Sequence, residues 1–245
     1  MAYYTSFESF CEALKISNFR NFKPLITFED ITFECECEFA DNNYDDIEPK
    51  GCINDFTNAT ELSMRMIKYF KKRGKDPRRL LLLDLGTATG TVPLSCVAAD
   101  ISGLGIEGSS HPKCNKVGAW GVMPSIVRNA DISKKISLYL KRTFKPVKFD
   151  IIWSSDVFEH IQEDRLEVLF DNITRHLSKD GFLISTIATI KDGKYHHTVK
   201  NRFWWRRFVN KNTGLKVIKP VKELAAYPRT HPFRSGFVLW AKLKD

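Results

Sequence analysis

Several short runs in this chain are apolar at adjacent positions with few polar interruptions, and stretches of helical spacing separate them. That alternation limits the folds open to it. The runs are Leu80–Leu85, Gly103–Ile106, Phe149–Trp153 and Phe182–Ile187; Val92–Ala99 and a long stretch from about Phe158 to Leu177, closed by Asp180-Gly181, fall between them. A strand wetted on one face alternates apolar with polar residues, whereas a strand apolar throughout needs cover on both faces. The sequence therefore predicts a doubly wound α/β fold with a mostly parallel sheet. Leu215–Ile218 and Phe237–Leu243 have no helical pattern of comparable strength between them, which predicts an antiparallel pair at one sheet edge. Asn58–Lys72 carries Leu62, Met66, Ile67 and Phe70 at helical spacing and reads as an amphipathic helix ended by Gly74 and Pro77.

The 245 residues are 43% hydrophobic and 27% charged, the composition of a globular chain and not of a disordered or collagen-like one. We expect one domain over residues 58–245, preceded by an N-terminal extension or cap over 1–57. No apolar run approaches the roughly 20 residues of a membrane-spanning helix, so membrane insertion is not expected. Met1–Phe10 lacks the basic start and apolar stretch of a secretory signal. The six cysteines, Cys11, Cys35, Cys37, Cys52, Cys96 and Cys114, contain no CxxC pair. Both features predict a reducing, cytoplasmic location. In Ile31–Phe39 a strict apolar/acidic alternation places Cys35 and Cys37 with Phe33 and Phe39 on the buried face of a strand, which speaks against a metal pair there.

Charge is distributed unevenly. Nine acids and no Lys or Arg lie between Phe28 and Glu48, whereas from Lys191 onward fourteen Lys and Arg stand against three acids, a local excess of +11. Such a field favours an anionic partner: a nucleotide-activated small molecule, a phosphorylated glycan or nucleic acid.

Leu80–Leu85 leads into Gly86-Thr87-Ala88-Thr89-Gly90 and then a helix. Small residues at the carboxyl end of a strand let a ligand approach the backbone, and open α/β sheets bind their ligands there. A dinucleotide fingerprint would need Gly at 88 and 91, where Ala88 and Thr91 stand, and no Gly-Lys-Ser/Thr follows the turn as a P-loop requires. The next strand ends in Glu107-Gly108, and a carboxylate in that place can accept two hydrogen bonds from a ribose diol.

Taken together, these segments resemble the class I S-adenosylmethionine-dependent methyltransferases over residues 58 to 190. Asp84-Leu-Gly86-Thr87-Ala88-Thr-Gly90 is similar to the family's first motif, and Glu107-Gly108 to its ribose-binding acid. Asn129-Ala-Asp131-Ile132 resembles the segment in which an Asp meets the adenine amino group and an apolar neighbour packs on the ring. Phe149–Ile161 is similar to the fourth motif, with Ser154 and Ser155 near the methyl donor. Leu177–Ser185 resembles the turn into the fifth strand. The resemblance implies a Rossmann-like seven-stranded sheet, S-adenosylmethionine as cofactor, and Asp84, Gly86, Thr87, Ala88, Gly90, Glu107, Gly108, Asp131, Ile132, Ser154 and Ser155 as its binding residues. Ala88 departs from the Gly of many members, a mild steric change.

A methyl group on a positive sulfonium needs an oriented nucleophile and, for a hydroxyl, a base. His160, beside Glu159, and His196-His197 lie after the fourth and fifth strands and are the candidate bases; surface or capping roles are the alternative. A helix beginning by Asp156 would put Asp156, Glu159 and His160 on one face, where His196 or His197 could complete a divalent-cation site. Asp-x-x-Glu-His resembles the Glu-x-x-Glu-His of small-RNA 2′-O-methyltransferases, although Glu-His also occurs in metal-free relatives. Tyr195–Phe208 interleaves aromatics with cations, a pattern that grips sugars or bases, unless Phe203, Trp204 and Phe208 are core residues of a helix. The expected function is O-methylation of a small-molecule, nucleotide-sugar or glycan acceptor, with RNA 2′-O-methylation or a noncatalytic cofactor-binding scaffold as the alternatives.

Overall fold

The computed structural model describes residues 26–40, 56–191, 195–225 and 236–244. Strands are β1 (Ile31–Cys35), β2 (Leu81–Leu85), β3 (Ser102–Glu107), β4 (Val127–Asn129), β5 (Ile136–Leu140), β6 (Phe149–Ser155), β7 (Leu177–Ala188), β8 (Leu215–Val217) and β9 (Gly236–Leu243). Helices are α1 (Phe56–Lys71), α2 (Thr91–Ala98), α3 (His111–Cys114), α4 (Ala119–Val122), α5 (Leu166–His176) and α6 (Arg202–Asn212). Seven strands form one sheet in the order β4-β3-β2-β6-β7-β9-β8. The first five run parallel, and β9 is antiparallel to both β7 and β8. The predicted doubly wound sheet and its antiparallel edge are therefore both present.

Two-sided cover explains why these runs do not alternate apolar with polar residues. Along β2, Leu81, Leu83 and Leu85 enter a core with Leu166, Leu169, Phe170 and Ile173 of α5 and with Trp205 and Val209 of α6. Leu80 and Leu82 point to the other face, against Leu62, Met66 and Phe70 of α1. Each fully buried Leu contributes roughly 1.5–3 kcal/mol. The winding reverses between β2 and β6, so their carboxyl ends flank the crevice where such sheets bind ligands.

The long helix predicted from about Phe158 to Leu177 is shorter. Two 3-10 turns, Phe158–His160 and Glu163–Arg165, precede α5, with extended backbone at Ile161 and Gln162. The carbonyls that a continuous helix would use are taken from outside it. Glu159 O accepts the His197 and Thr198 N–H groups, and Ile161 O accepts the Thr198 hydroxyl at 2.6 Å. Asp156, with φ of 52°, stands before these turns in left-handed backbone, so Asp156, Glu159 and His160 do not share the face of an α-helix.

The Cys35/Cys37 expectation also changes. Glu34, Glu36 and Glu38 are exposed, as the alternation requires, but β1 stops at Cys35 and both thiols are only half-buried. β1 pairs with β5 in a separate two-stranded sheet and not with the seven-stranded one. The described part of the N-terminal 57 residues is hydrogen-bonded to the domain: Asp131 N–H donates to Cys37 O at 3.0 Å and Ala40 N–H to Gly108 O at 3.0 Å. Acids 41–48 lie outside the described residues. Among those described, no helix is long and apolar enough to cross a membrane.

Two side chains of α5 serve the backbone around β5. Asn172 accepts from Ile136 N–H and donates to the Ile132 and Lys134 carbonyls. His176 packs at 1% exposure against Val147 O, and burial pushes its imidazole down to about 4, so it is a neutral core histidine. These contacts fix the loop that carries Asp131 and Ile132.

Candidate active site

The turn after β2 is built by contacts that small residues permit. Gly86 and Thr87 N–H groups donate to Ile106 O at 2.8 and 3.0 Å, which folds the turn over the end of β3. The Thr87 side chain packs on Gly105, where an added Cβ would lie 2.6 Å from Thr87 Oγ1. Ala88 adopts φ of 49°, left-handed backbone that disfavours any side chain, so the departure from Gly is one of conformation as well as volume. Its N–H donates to Glu107 Oε2 at 2.7 Å, and its carbonyl accepts Trp120 Nε1–H at 2.8 Å.

Glu107 reaches this turn from the end of β3. Its Oε1 accepts Ser109 N–H at 2.8 Å. Each carboxylate oxygen has two lone pairs, so both retain acceptor capacity for a diol. Burial pushes the Glu107 carboxyl up, while the Ser109, Ala88 and Gly108 N–H groups pull it back. Asn129 donates to the Glu107 and Ser109 carbonyls and holds the next turn in place.

Asp131 is 2% exposed. Its Oδ1 accepts the Ser133 N–H and hydroxyl at 2.9 and 2.7 Å, whereas its Oδ2 is buried without a hydrogen-bond partner. Leaving such an acceptor unmet costs about 1–3 kcal/mol, and a donor such as an adenine amino group satisfies it. Ile132 is buried beside it. With the small-residue turn and the Glu107 lone pairs, these residues fit an adenosine-containing cofactor.

Asp84 is buried beneath the turn and accepts the Thr87 hydroxyl at 2.7 Å. Burial pushes its carboxyl up to about 7; the Thr87 hydrogen bond opposes this and the charge of Glu107 adds to it. The folded value exceeds the unfolded one, so the associated stability is full below about pH 4 and is lost as pH rises through 7. Denaturant titrations of the cofactor-free protein from pH 4 to 8 are expected to show that decline and to show it flattened in Asp84→Asn. An equal slope in both proteins would exclude Asp84 as its source.

Past β6, Ser154 is wholly buried within the sheet with its hydroxyl unpartnered, and the half-buried Ser155 hydroxyl lies 3.0 Å from Thr186 Oγ1. Val157 packs on Gly86, which ties the two turns together. Of the candidate bases, His160 and His196 converge with ring centroids 4.7 Å apart. His197 is exposed, and its backbone N–H is held by Glu159 O. Glu159 is fully buried; burial pushes its carboxyl up to about 8, with the Ala188 N–H pulling it down. Asp150, in the fourth motif, is structural: it pairs with Lys75 and accepts Leu81 N–H.

The basic aromatic segment is a helix over its second half. In α6, Trp205 is the fully buried ring, Trp204 and Phe208 stack half-buried, and Phe203 is exposed. Arg202, Arg206, Arg207 and Lys211 face solvent. The contribution of Trp120 had no signal in the sequence, and although Asn129 and Val157 lie within segments singled out there, their roles had none either, since each acts through a neighbour brought from elsewhere in the chain.

A strand order that reverses at β2/β6, a small-residue turn and an acid at the end of β3 define a doubly wound sheet of the nucleotide-binding kind, closed here by an antiparallel β9 between β7 and β8. A family model described as a methyltransferase domain matches residues 58–226, and the chain belongs to that family, the S-adenosylmethionine-dependent methyltransferases. No curated protein matches the chain in sequence. Among solved structures it is similar to a TehB-like methyltransferase from Corynebacterium glutamicum, at 16% identity over 75% of this chain and 88% of that one, TM-score 0.52. It is also similar to the CcbJ methyltransferase of Streptomyces caelestis, at 11% identity over 77% and 90%, TM-score 0.53. The magnesium protoporphyrin IX methyltransferase of Synechocystis, solved with S-adenosylhomocysteine, gives 12% identity over 77% and 84%, TM-score 0.51. At these identities the likeness is one of fold.

Proposed function

We propose that this methyltransferase acts on an oxygen of a small-molecule, nucleotide-sugar or glycan acceptor that carries negative charge. The observation that carries the reading is the convergence of Glu159, His160 and His196 at the crevice edge, beyond β6 and β7, where an acceptor hydroxyl needs help to lose its proton. When bound, S-adenosylmethionine supplies a methyl group on a positive sulfonium. The chain's own residues do the rest. Glu107 accepts from the ribose hydroxyls, Asp131 Oδ2 accepts from the adenine amino group, Ile132 packs on the ring, and the Gly86–Gly90 turn admits the remainder against the backbone. His160 and His196 sit at the hydroxyl end, with His197 outside the pair.

The anionic character of the acceptor rests on α6. Its N-terminus is tied to the same edge: Trp205 packs near Phe158, and Lys200, just before it, pairs with Glu163 at 2.7 Å. The exposed Arg202, Arg206 and Arg207 follow from there. The test is labelled methyl transfer to a panel of nucleotide sugars, phosphorylated small molecules and short RNAs, with the methylated atom located by mass spectrometry. For the acceptor that reacts, the log-log dependence of binding on salt is expected to be shallow, because one or two charges are engaged. A single-stranded RNA releases counterions with a slope of about −0.7 per neutralised phosphate. A slope steeper than about −3 overturns the small-acceptor reading in favour of RNA.

A further inference from the structure

Three side chains of metal-ligand type meet beyond the carboxyl ends of β6 and β7. One ligand atom from each of Glu159, His160 and His196 lies within 4.8 Å of the others. Both imidazoles are oriented from behind. His160 Nδ1 lies 3.1 Å from Tyr195 O, and His196 Nδ1 lies 2.7 Å from Ile190 O. A carbonyl only accepts, so in each ring Nδ1 carries the proton, and the basic electron pair of the neutral ring belongs to Nε2. Anchoring one ring nitrogen on a carbonyl is how metal-binding histidines are held in the ligating tautomer.

Glu159 supplies the charge once an ion takes the place of its proton. Its Oε1 accepts Ala188 N–H at 2.8 Å, while its Oε2 is buried with no hydrogen-bond partner, in a residue at 0% exposure. A carboxylate oxygen so placed is costly unless a cation or donor meets it. The turn that carries Glu159 is clamped by the His197 and Thr198 N–H groups, so the segment bearing His196 is fixed to the segment bearing Glu159 and His160.

We infer that Glu159, His160 and His196 bind a divalent first-row transition ion through two imidazole nitrogens and one carboxylate. Imidazole donors favour zinc, iron or cobalt over magnesium or calcium, and three protein ligands leave positions open for water or an acceptor oxygen. Ligand atoms about 2.0–2.2 Å from one ion lie about 3–4 Å apart, so the group need contract only by about 1 Å. Asp156 is not among the ligands. The inference rests on the reading of this edge as the acceptor site and gives the cluster its chemistry: a hydroxyl bound to the ion releases its proton to water more readily than a free one.

Chelator-treated protein is to be titrated with Co²⁺ and followed by visible absorption, with S-adenosylhomocysteine calorimetry on the same samples. One ion per chain is expected, displaced by Zn²⁺. His196→Ala and Glu159→Gln are each expected to weaken Co²⁺ binding by at least about 100-fold, the upper end of what a change outside the ligand set does. His111→Ala, on α3, leaves it unchanged, and all variants keep their affinity for S-adenosylhomocysteine. A protein that binds S-adenosylhomocysteine but not Co²⁺, or an unaltered Co²⁺ affinity in His196→Ala, overturns the ion site and leaves the methyltransferase reading intact. A wild-type protein that binds no S-adenosylhomocysteine strikes that reading, and the inference with it.

Discussion

Replacing Glu107 by Ala is expected to weaken S-adenosylhomocysteine binding by about 2–3 kcal/mol, roughly 30- to 150-fold, as measured by calorimetry. The magnitude follows from hydrogen bonds to a charged acceptor, each worth about 1.5–3 kcal/mol. The carboxylate also accepts the Ala88 and Ser109 N–H groups, so its removal loosens the turn proposed to carry the cofactor. Glu107→Gln separates the two roles. It retains one acceptor oxygen for the backbone and loses the charge, so it should recover the turn more fully than the affinity. An unchanged affinity in a folded Glu107→Ala protein would remove this acid from the cofactor site.

The second large effect is expected at Gly86, where alanine should cost about 2–5 kcal/mol of stability in denaturant titration. Two causes add. At φ of 72° an L-residue pays roughly 1–2 kcal/mol for left-handed backbone. The new Cβ would also lie 2.3 Å from Val157 Cγ2, an overpacking of about 1–3 kcal/mol. A double-mutant cycle with Val157→Ala distinguishes them, because the second change relieves the contact but not the dihedral. The coupling should be favourable and smaller than the full cost of Gly86→Ala. Zero coupling would show that Val157 yields without strain and that the dihedral alone accounts for the loss.

Much of this molecule was legible in one dimension wherever a physical rule acts on neighbours in the chain. Leu80–Leu85 had to be covered on both faces because no polar residue but Asp84 interrupts it, and α1 on one side with α5 and α6 on the other provide that cover. Gly86–Gly90 and Glu107 could be placed at the ends of adjacent strands, since a strand followed by a small-residue turn and a helix puts the next strand's end beside the first. The helix before that unit was equally plain, and α1 departs from Asn58–Lys72 by two residues at its start and one at its end.

Local periodicity misled where distant segments compete for the same groups. Phe158–Leu177 has helical spacing, yet residues 197 and 198 occupy the Glu159 and Ile161 carbonyls and hold back the helix until Leu166. The alternation of Ile31–Phe39 told which side chains turn outward but not that β1 would pair with β5 on a small separate sheet, where a thiol is half-buried at most.

The sequence by itself determined the doubly wound class, the antiparallel edge and the small-residue turn after β2, because apolar runs, small residues and strand-end acids act through hydrogen bonds and burial that recur at fixed spacing. Only the tertiary structure decided which histidines belong together. His160 and His196 are brought to 4.7 Å by carbonyls and N–H groups from segments some 36 residues apart, while the adjacent His197 is turned to solvent by the same clamp. Neighbouring residues in an extended segment point opposite ways, and which of the two meets His160 depends on a register that no local rule supplies.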